Sequence, residues 1–180
     1  TIQHNVGACF IELASGHIYV CETIDKEQDN SYAFDELYQY INIYEPNEAI
    51  LYSTTQLSIT YNELLARLNI CCYTHNKLGA LPADFLKIPY QHKVFSEVYP
   101  DYGLQTPHEY LEIERQPFAA TALVCMLDFC NQHNQRLLNH IQLPTILQKD
   151  TDICNIAYNA ATQLELPQLT DILNKCKTAI

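Results

Sequence analysis

Apolar and polar positions change their period several times along the chain. Residues 6–13 form a short apolar run rich in strand formers, and residues 18–24 form a second. Ala14, Ser15, Gly16 and His17 between them make a glycine-containing turn, so the pair is predicted to be a β-hairpin. Residues 25–30 are polar and read as loop. Ser31 stands where a helix cap belongs, and Phe34, Leu37, Tyr38 and Ile41 then recur at i, i+3, i+4 and i+7 until Pro46 stops the pattern. Residues 48–52 read as a short buried strand. Thr60 and Glu63 form a capping box ahead of Leu64, Leu65 and Leu68, and residues 70–73 read as a further strand. The order β-β-α-β-α-β predicts an α/β fold, a mixed sheet with flanking helices.

The pattern changes after about residue 75. Pro82, Pro89 and Pro100 interrupt residues 75–105, where Phe85, Leu86, Val94 and Phe95 are expected to pack on the sheet. Thr106, Pro107 and Glu109 combine a cap, a first-turn proline and a capping-box acid, and predict a helix to about Arg115. Pro117 opens another helix, expected from Phe118 to about Asn131. It is apolar on nearly every face and therefore expected to be buried between other elements. A helical segment follows, with a boundary near residues 105–117.

Charge narrows the chemistry. Ten Lys and Arg against 21 Asp and Glu leave the 180-residue chain at −11. A surface this acidic repels phosphate backbones and argues against unaided grip on DNA or RNA. No apolar run approaches the roughly 20 residues that span a bilayer. The chain begins at Thr1 without an initiator Met or a leader, which reads as an excised fragment. Eight cysteines occur with no CxxC. Free buried thiols in a reducing, intracellular compartment are the expectation, and Cys125, Cys130 and His133 are the nearest approach to a metal cluster. The seven histidines are scattered, mostly expected at the surface, and none is assigned a function. Tyr38, Tyr40 and Tyr44 share a helix without interleaved Lys or Arg, so they read as core and rim residues and not as a base-stacking platform.

Four glycines exclude a glycine-rich phosphate cradle, and neither GxSxG nor HExxH occurs. One enzymatic alternative remains open. Glu12 on the first strand, Glu22 on the second and Glu48 at the start of the third could form the carboxylate cluster of a metal-dependent, ribonuclease H-like nuclease, provided they converge on two metals roughly 4 Å apart. The bland reading makes them ordinary strand-end acids, and the lack of a basic face favours it.

Several stretches, in order and at sensible spacing, resemble the MutS family of mismatch-repair proteins. Gly7, Ala8, Phe10 and Glu12, ending at Ser15-Gly16, resemble the Gly-x-Ala-Phe-x-Asp-like opening strand of the MutS connector domain. Pro46, Glu48, Ile50 and Leu51 resemble that domain's later Pro-x-Glu-x-apolar-apolar strand. Residues 152–166, from Asp152 to Leu164-Glu165-Leu166, are similar to a core-domain segment, although Thr162 lies closer to Leu-Glu than in the family and Asn stands where the family often has Asp. Residues 169–180 resemble the next signature and stop one residue short of its Gly. The tyrosine- and cysteine-rich wording points to a divergent branch, of the kind found in large DNA viruses or organelles.

This resemblance implies a ribonuclease H-like connector domain over residues 1–110 and the start of a helical core, or lever, domain over 111–180. It implies no catalysis and no cofactor within these residues. The intact protein would be a dimeric ATPase holding ATP and Mg at a P-loop outside this sequence, reading mismatched duplex DNA through other domains and recruiting MutL. The expected partner surface is the polar face around Gln91, His92, Lys93, Ser96 and Glu97, taken as an irregular region beside buried Val94 and Phe95.

Overall fold

The computed structural model describes residues 3–147 apart from 28, 30, 56–58 and 77. The expectations for residues 152–180, Cys154 and Cys176 included, lie outside the described residues. The described residues fall within one compact unit, Thr1–Gln148, of mixed α/β architecture.

The hairpin is present. β1 (Asn5–Glu12) pairs antiparallel with β2 (His17–Ile24), from Asn5 opposite Ile24 to Glu12 opposite His17. Gly16 closes the turn at φ +76°, and Gln142 clamps it by donating its backbone N–H to the Gly16 carbonyl. Strand alternation sends successive side chains to opposite faces. Val6, Ala8 and Phe10 meet one layer, and Cys9, Ile11, Ile18 and Val20 meet the other.

The first layer is α1 (Tyr32–Tyr44), which buries Phe34, Leu37 and Ile41 as its periodicity predicts. Ser31 precedes it but makes no side-chain cap bond to the helix. Its hydroxyl donates to Asp29 and Asp35 instead. The predicted strand at 48–52 divides into β3 (Glu48–Ala49) and β4 (Tyr52–Ser53). α2 (Tyr61–Arg67) opens with both halves of the Thr60–Glu63 capping box in place. β5 (Tyr73–Thr74) starts where the sequence expectation of 70–73 ends, because Ile70 is drawn into the core with Leu64 and Leu68. β5 pairs parallel with β3, and β6 (Gly79–Ala80) pairs parallel with β4.

The second half supplies the other layer. α3 (Ile88–Val98) follows a short 3-10 turn at Ala83–Leu86. Phe85 and Phe95 are buried as expected, whereas Leu86 is exposed. α4 (Pro107–Tyr110) uses the Thr106–Glu109 capping box but ends early, where Glu112 takes a left-handed φ of +59°. α5 (Pro117–Asn134) crosses the hairpin, and from Phe118 to Cys130 none of its residues is exposed. A 3-10 turn (Gln135–His140) leads to β7 (Thr145–Ile146), which adds to β2 in parallel and completes the order β1-β2-β7. The division expected between residues 110 and 111 runs through this unit, since Leu111, Ile113, Leu123 and Leu127 share one core with Ile18 and Val20.

The seat of α5 is set by one cross-strand pair, Gly7 opposite Glu22. A Cβ on Gly7 would overlap the carbonyl of Phe118. Beside it the Glu22 carboxylate accepts the backbone N–H groups of Phe118 at 2.6 Å and Ala119 at 3.2 Å. Gln116 at the N-cap position offers no side-chain bond, so a strand acid 96 residues away satisfies the helix's orphan donors. Gly7→Ala is expected to cost about 3 kcal/mol or more, because rigid backbone must move. Glu22→Ala is expected to cost about 1–2 kcal/mol. Urea unfolding of the two variants checks both values and their order.

Candidate functional site

α3 divides the predicted partner surface. Pro89 lies in its first turn, and its helical rise carries Tyr90, Lys93, Val94 and Glu97 along one face. That face and Leu127 and Asp128 of α5 enclose a groove of about 300 Å³. Lys93 and Glu97 sit at i and i+4, with Nζ 3.9 Å from the carboxylate, and both are well exposed. The region expected to be irregular is thus a regular helix, and two of the five predicted partner residues line a real depression.

The other three turn away from the groove. Gln91 is only 3% exposed, which corrects its placement on a partner surface. Its amide donates to the Phe85 carbonyl at 2.7 Å and to Thr121 Oγ1 at 3.4 Å, leaving its oxygen to accept from His108 Nε2 at 2.7 Å. Ser96 donates back to the His92 carbonyl, and the His92 ring lies 4.9 Å from that of His108. His108 is buried rather than superficial, and its Nδ1 has no hydrogen-bond partner among the described residues. With Nε2 donating, Nδ1 carries the lone pair, and a proton added there would be buried without an acceptor. Burial, with His92 alongside, holds the His108 pKa below its usual value.

The three carboxylates of the nuclease alternative do not converge. Glu12 and Glu22 lie at opposite ends of the hairpin, five residues apart in register, or about 17 Å along the strands. They also project to opposite faces, Glu12 with Phe10 and Glu22 with Val20. Glu12 accepts from Ser15, Glu22 caps α5, and Glu48 bonds His75 at 2.7 Å. Two metals roughly 4 Å apart could not share them, and the nuclease reading is corrected on that ground. Among the described residues no group of three or more His, Cys, Asp or Glu is placed to hold a metal ion. Cys130 is in the core, and His133 stacks on Phe129 at 3.9 Å. Burial pushes the Cys21 and Cys125 thiols up to about 12 and Cys9 well above its usual value, so these groups stay protonated.

Two buried polar centres escaped the sequence reading. His108 was indistinguishable from six other scattered histidines, since burial depends on contacts with α3. Asp25 stood in a polar run and read as loop. Its side chain is fully enclosed and accepts the His4 ring at 2.7 Å, the His4 backbone N–H and the Ala33 backbone N–H. Burial raises its pKa, but the N–H groups of Ala33 and His4 and the His4 ring outweigh that and hold it below the usual carboxylate value. Glu22 had one usable signal: a long apolar helix opening at Gln116-Pro117 lacks a local capping acceptor and must borrow one.

No family model matches the chain. A relative from Acanthamoeba polyphaga mimivirus, provisionally named a DNA mismatch repair protein mutS homolog (L359), is 24% identical across 96% of this chain. The chain spans 18% of that relative's length. The likeness supports a MutS-like relation to mismatch repair. No helix among the described residues is long and apolar enough to cross a membrane.

The two buried centres titrate in separate windows. His108 has a lowered folded pKa, so the unfolded chain takes its proton first, and stability falls as pH drops through the unfolded value near about 6.5. Asp25 also has a lowered folded pKa. Its contribution is present above the unfolded value near about 3.9 and is lost as pH falls through the folded one. Urea midpoints are expected to decline in two steps as pH is lowered. His108→Gln is expected to flatten the upper step and leave the lower one.

Proposed function

We propose that this chain is a non-catalytic connector and the start of the core domain of a MutS-type mismatch-recognition ATPase, relaying conformational change and offering a surface to a MutL-type protein. The observation that carries this reading is the similarity to the mimivirus mutS homolog, which runs through 96% of the chain. Three features support it. The hairpin acids serve structure and do not converge on metal. The thiols of the core stay protonated. The net charge of −11 suits a domain that stands away from the duplex, leaving mismatched DNA to other domains. ATP and Mg belong, in this reading, to a P-loop outside the sequence. The intact protein is a dimer in a reducing compartment, and a ribonuclease H-like topology is the expected ancestry of the mixed α/β unit. α3 and α5, packed on one core with the hairpin, move as a rigid body when the flanking domains rearrange.

The partner surface is the α3 face with Lys93 and Glu97. Exchanging them by Lys93→Glu with Glu97→Lys keeps the helix pair and the net charge but inverts the local pattern. In pull-downs with the MutL-type protein of the same source, the exchange is expected to weaken capture about ten-fold. Unchanged capture would remove this surface. The chain alone is expected not to retain mismatched duplex DNA at physiological salt, and tight retention would count against the whole reading.

A further inference from the structure

We propose that the groove between α3 and α5 is a docking site for a partner-protein segment that carries an arginine. This rests on the reading of α3 as a partner surface and names the chemistry that surface recognises. Val94 and Val98 give the groove some apolar surface among the polar side chains of Asn131, Gln135 and Asn139, and about 300 Å³ suits one or two side chains better than a folded element. The wall is aromatic and acidic. Tyr90 stacks on Phe85 with ring centroids 5.5 Å apart. Burial, and then the carboxylates of Asp128, Asp84 and Glu97, raise the pKa of its hydroxyl, and Glu97 and Asp128 line the groove with it.

Two of those charges already have cations. Asp84 bonds Lys87 at 2.7 Å, and Glu97 faces Lys93 at 3.9 Å. Asp128 has none among the described residues. It accepts a neutral amide from Gln132 at 2.6 Å and is partly buried, where an uncompensated carboxylate is costly. A guanidinium answers both features. It is planar and weakly hydrated, stacks on an aromatic ring and donates in pairs to a carboxylate. A lysine would meet the charge and attract the ring, but without planar stacking or paired donation to the carboxylate. The chain's charge of −11 favours encounter with a cationic segment.

Short fluorescent peptides alternating Leu with Arg, Leu with Lys, or Leu with Glu, titrated into the full chain at physiological ionic strength, test this by polarisation. The Leu/Arg peptide is expected to bind at least about ten-fold more tightly than Leu/Glu, with Leu/Lys between them. Asp128→Asn preserves the bond from Gln132 and is expected to weaken Leu/Arg about ten-fold; Tyr90→Leu is expected to weaken Leu/Arg more than Leu/Lys and so narrow the gap between them. Equal binding of Leu/Arg and Leu/Glu, or an Asp128→Asn chain of unchanged urea midpoint and unchanged affinity, would overturn the proposal. So would a concentration-dependent dimer that Asp128→Asn dissolves, which would assign the groove to a second copy. Failure of the peptides with MutL-type capture intact defeats the groove chemistry alone. Peptide binding without such capture defeats the MutS-type partner alone.

Discussion

The contact between α5 and the hairpin at Gly7 and Glu22 organises everything else in the unit. A helix of 18 residues packs on a two-stranded ribbon through side chains, and comes closer only where the ribbon lets backbone meet backbone. Gly7 provides that point, where a side chain would collide with the Phe118 carbonyl. The residue directly across from it, Glu22, then has the positive end of a helix within reach. Shape and charge are thus solved by neighbouring positions on two strands. Once α5 is seated, Leu123, Val124 and Leu127 cover Ile18 and Val20, and α3 packs against the outer side of the same helix.

Asp25 and Gln91 follow a common rule. Each is held by partners from different elements, so each fixes a relation that apolar packing leaves loose. Asp25 joins the strand ends to the first turn of α1 through His4 and Ala33. Gln91 joins α3 to α4, to α5 and to the 3-10 turn before it. A buried carboxylate or amide is tolerated when its bonding capacity is met. Seen this way, the acids that most resembled chemistry in the sequence are anchors. Exposed Lys93 and Glu97 and partly buried Asp128 line a groove on the outside of the α3–α5 pair.

Elements whose signals are local were legible in the sequence. The hairpin followed from its turn, α1 from its periodic face, and α2 and α4 from capping boxes that form between residues three apart. α5 announced its burial by being apolar all round. The short strands β3 to β6 were blurred, because two-residue pairings depend on what lies alongside them and not on their own propensity. Among the site residues, Lys93 and Glu97 were placed on the surface and are there. Gln91 was misplaced, because one turn of a helix separates a solvent face from a core face and the sequence at 88–98 alternates polar residues on both.

By itself, then, the sequence determined the hairpin, the amphipathic and fully apolar helices, the acidic surface and the impossibility of a glycine-rich phosphate site, all of which depend on residues close together or on composition. Only the tertiary structure decided that Glu22 caps a helix 96 residues away, that Glu12 and Glu22 face apart, that His108 and Asp25 are enclosed, and that Asp128 lies across a groove from Tyr90. The physical reason is common to all four. Whether a charge is a catalyst, a cap or a recognition group is set by its solvent exposure and its nearest partners, and both come from segments the chain brings together only when it folds.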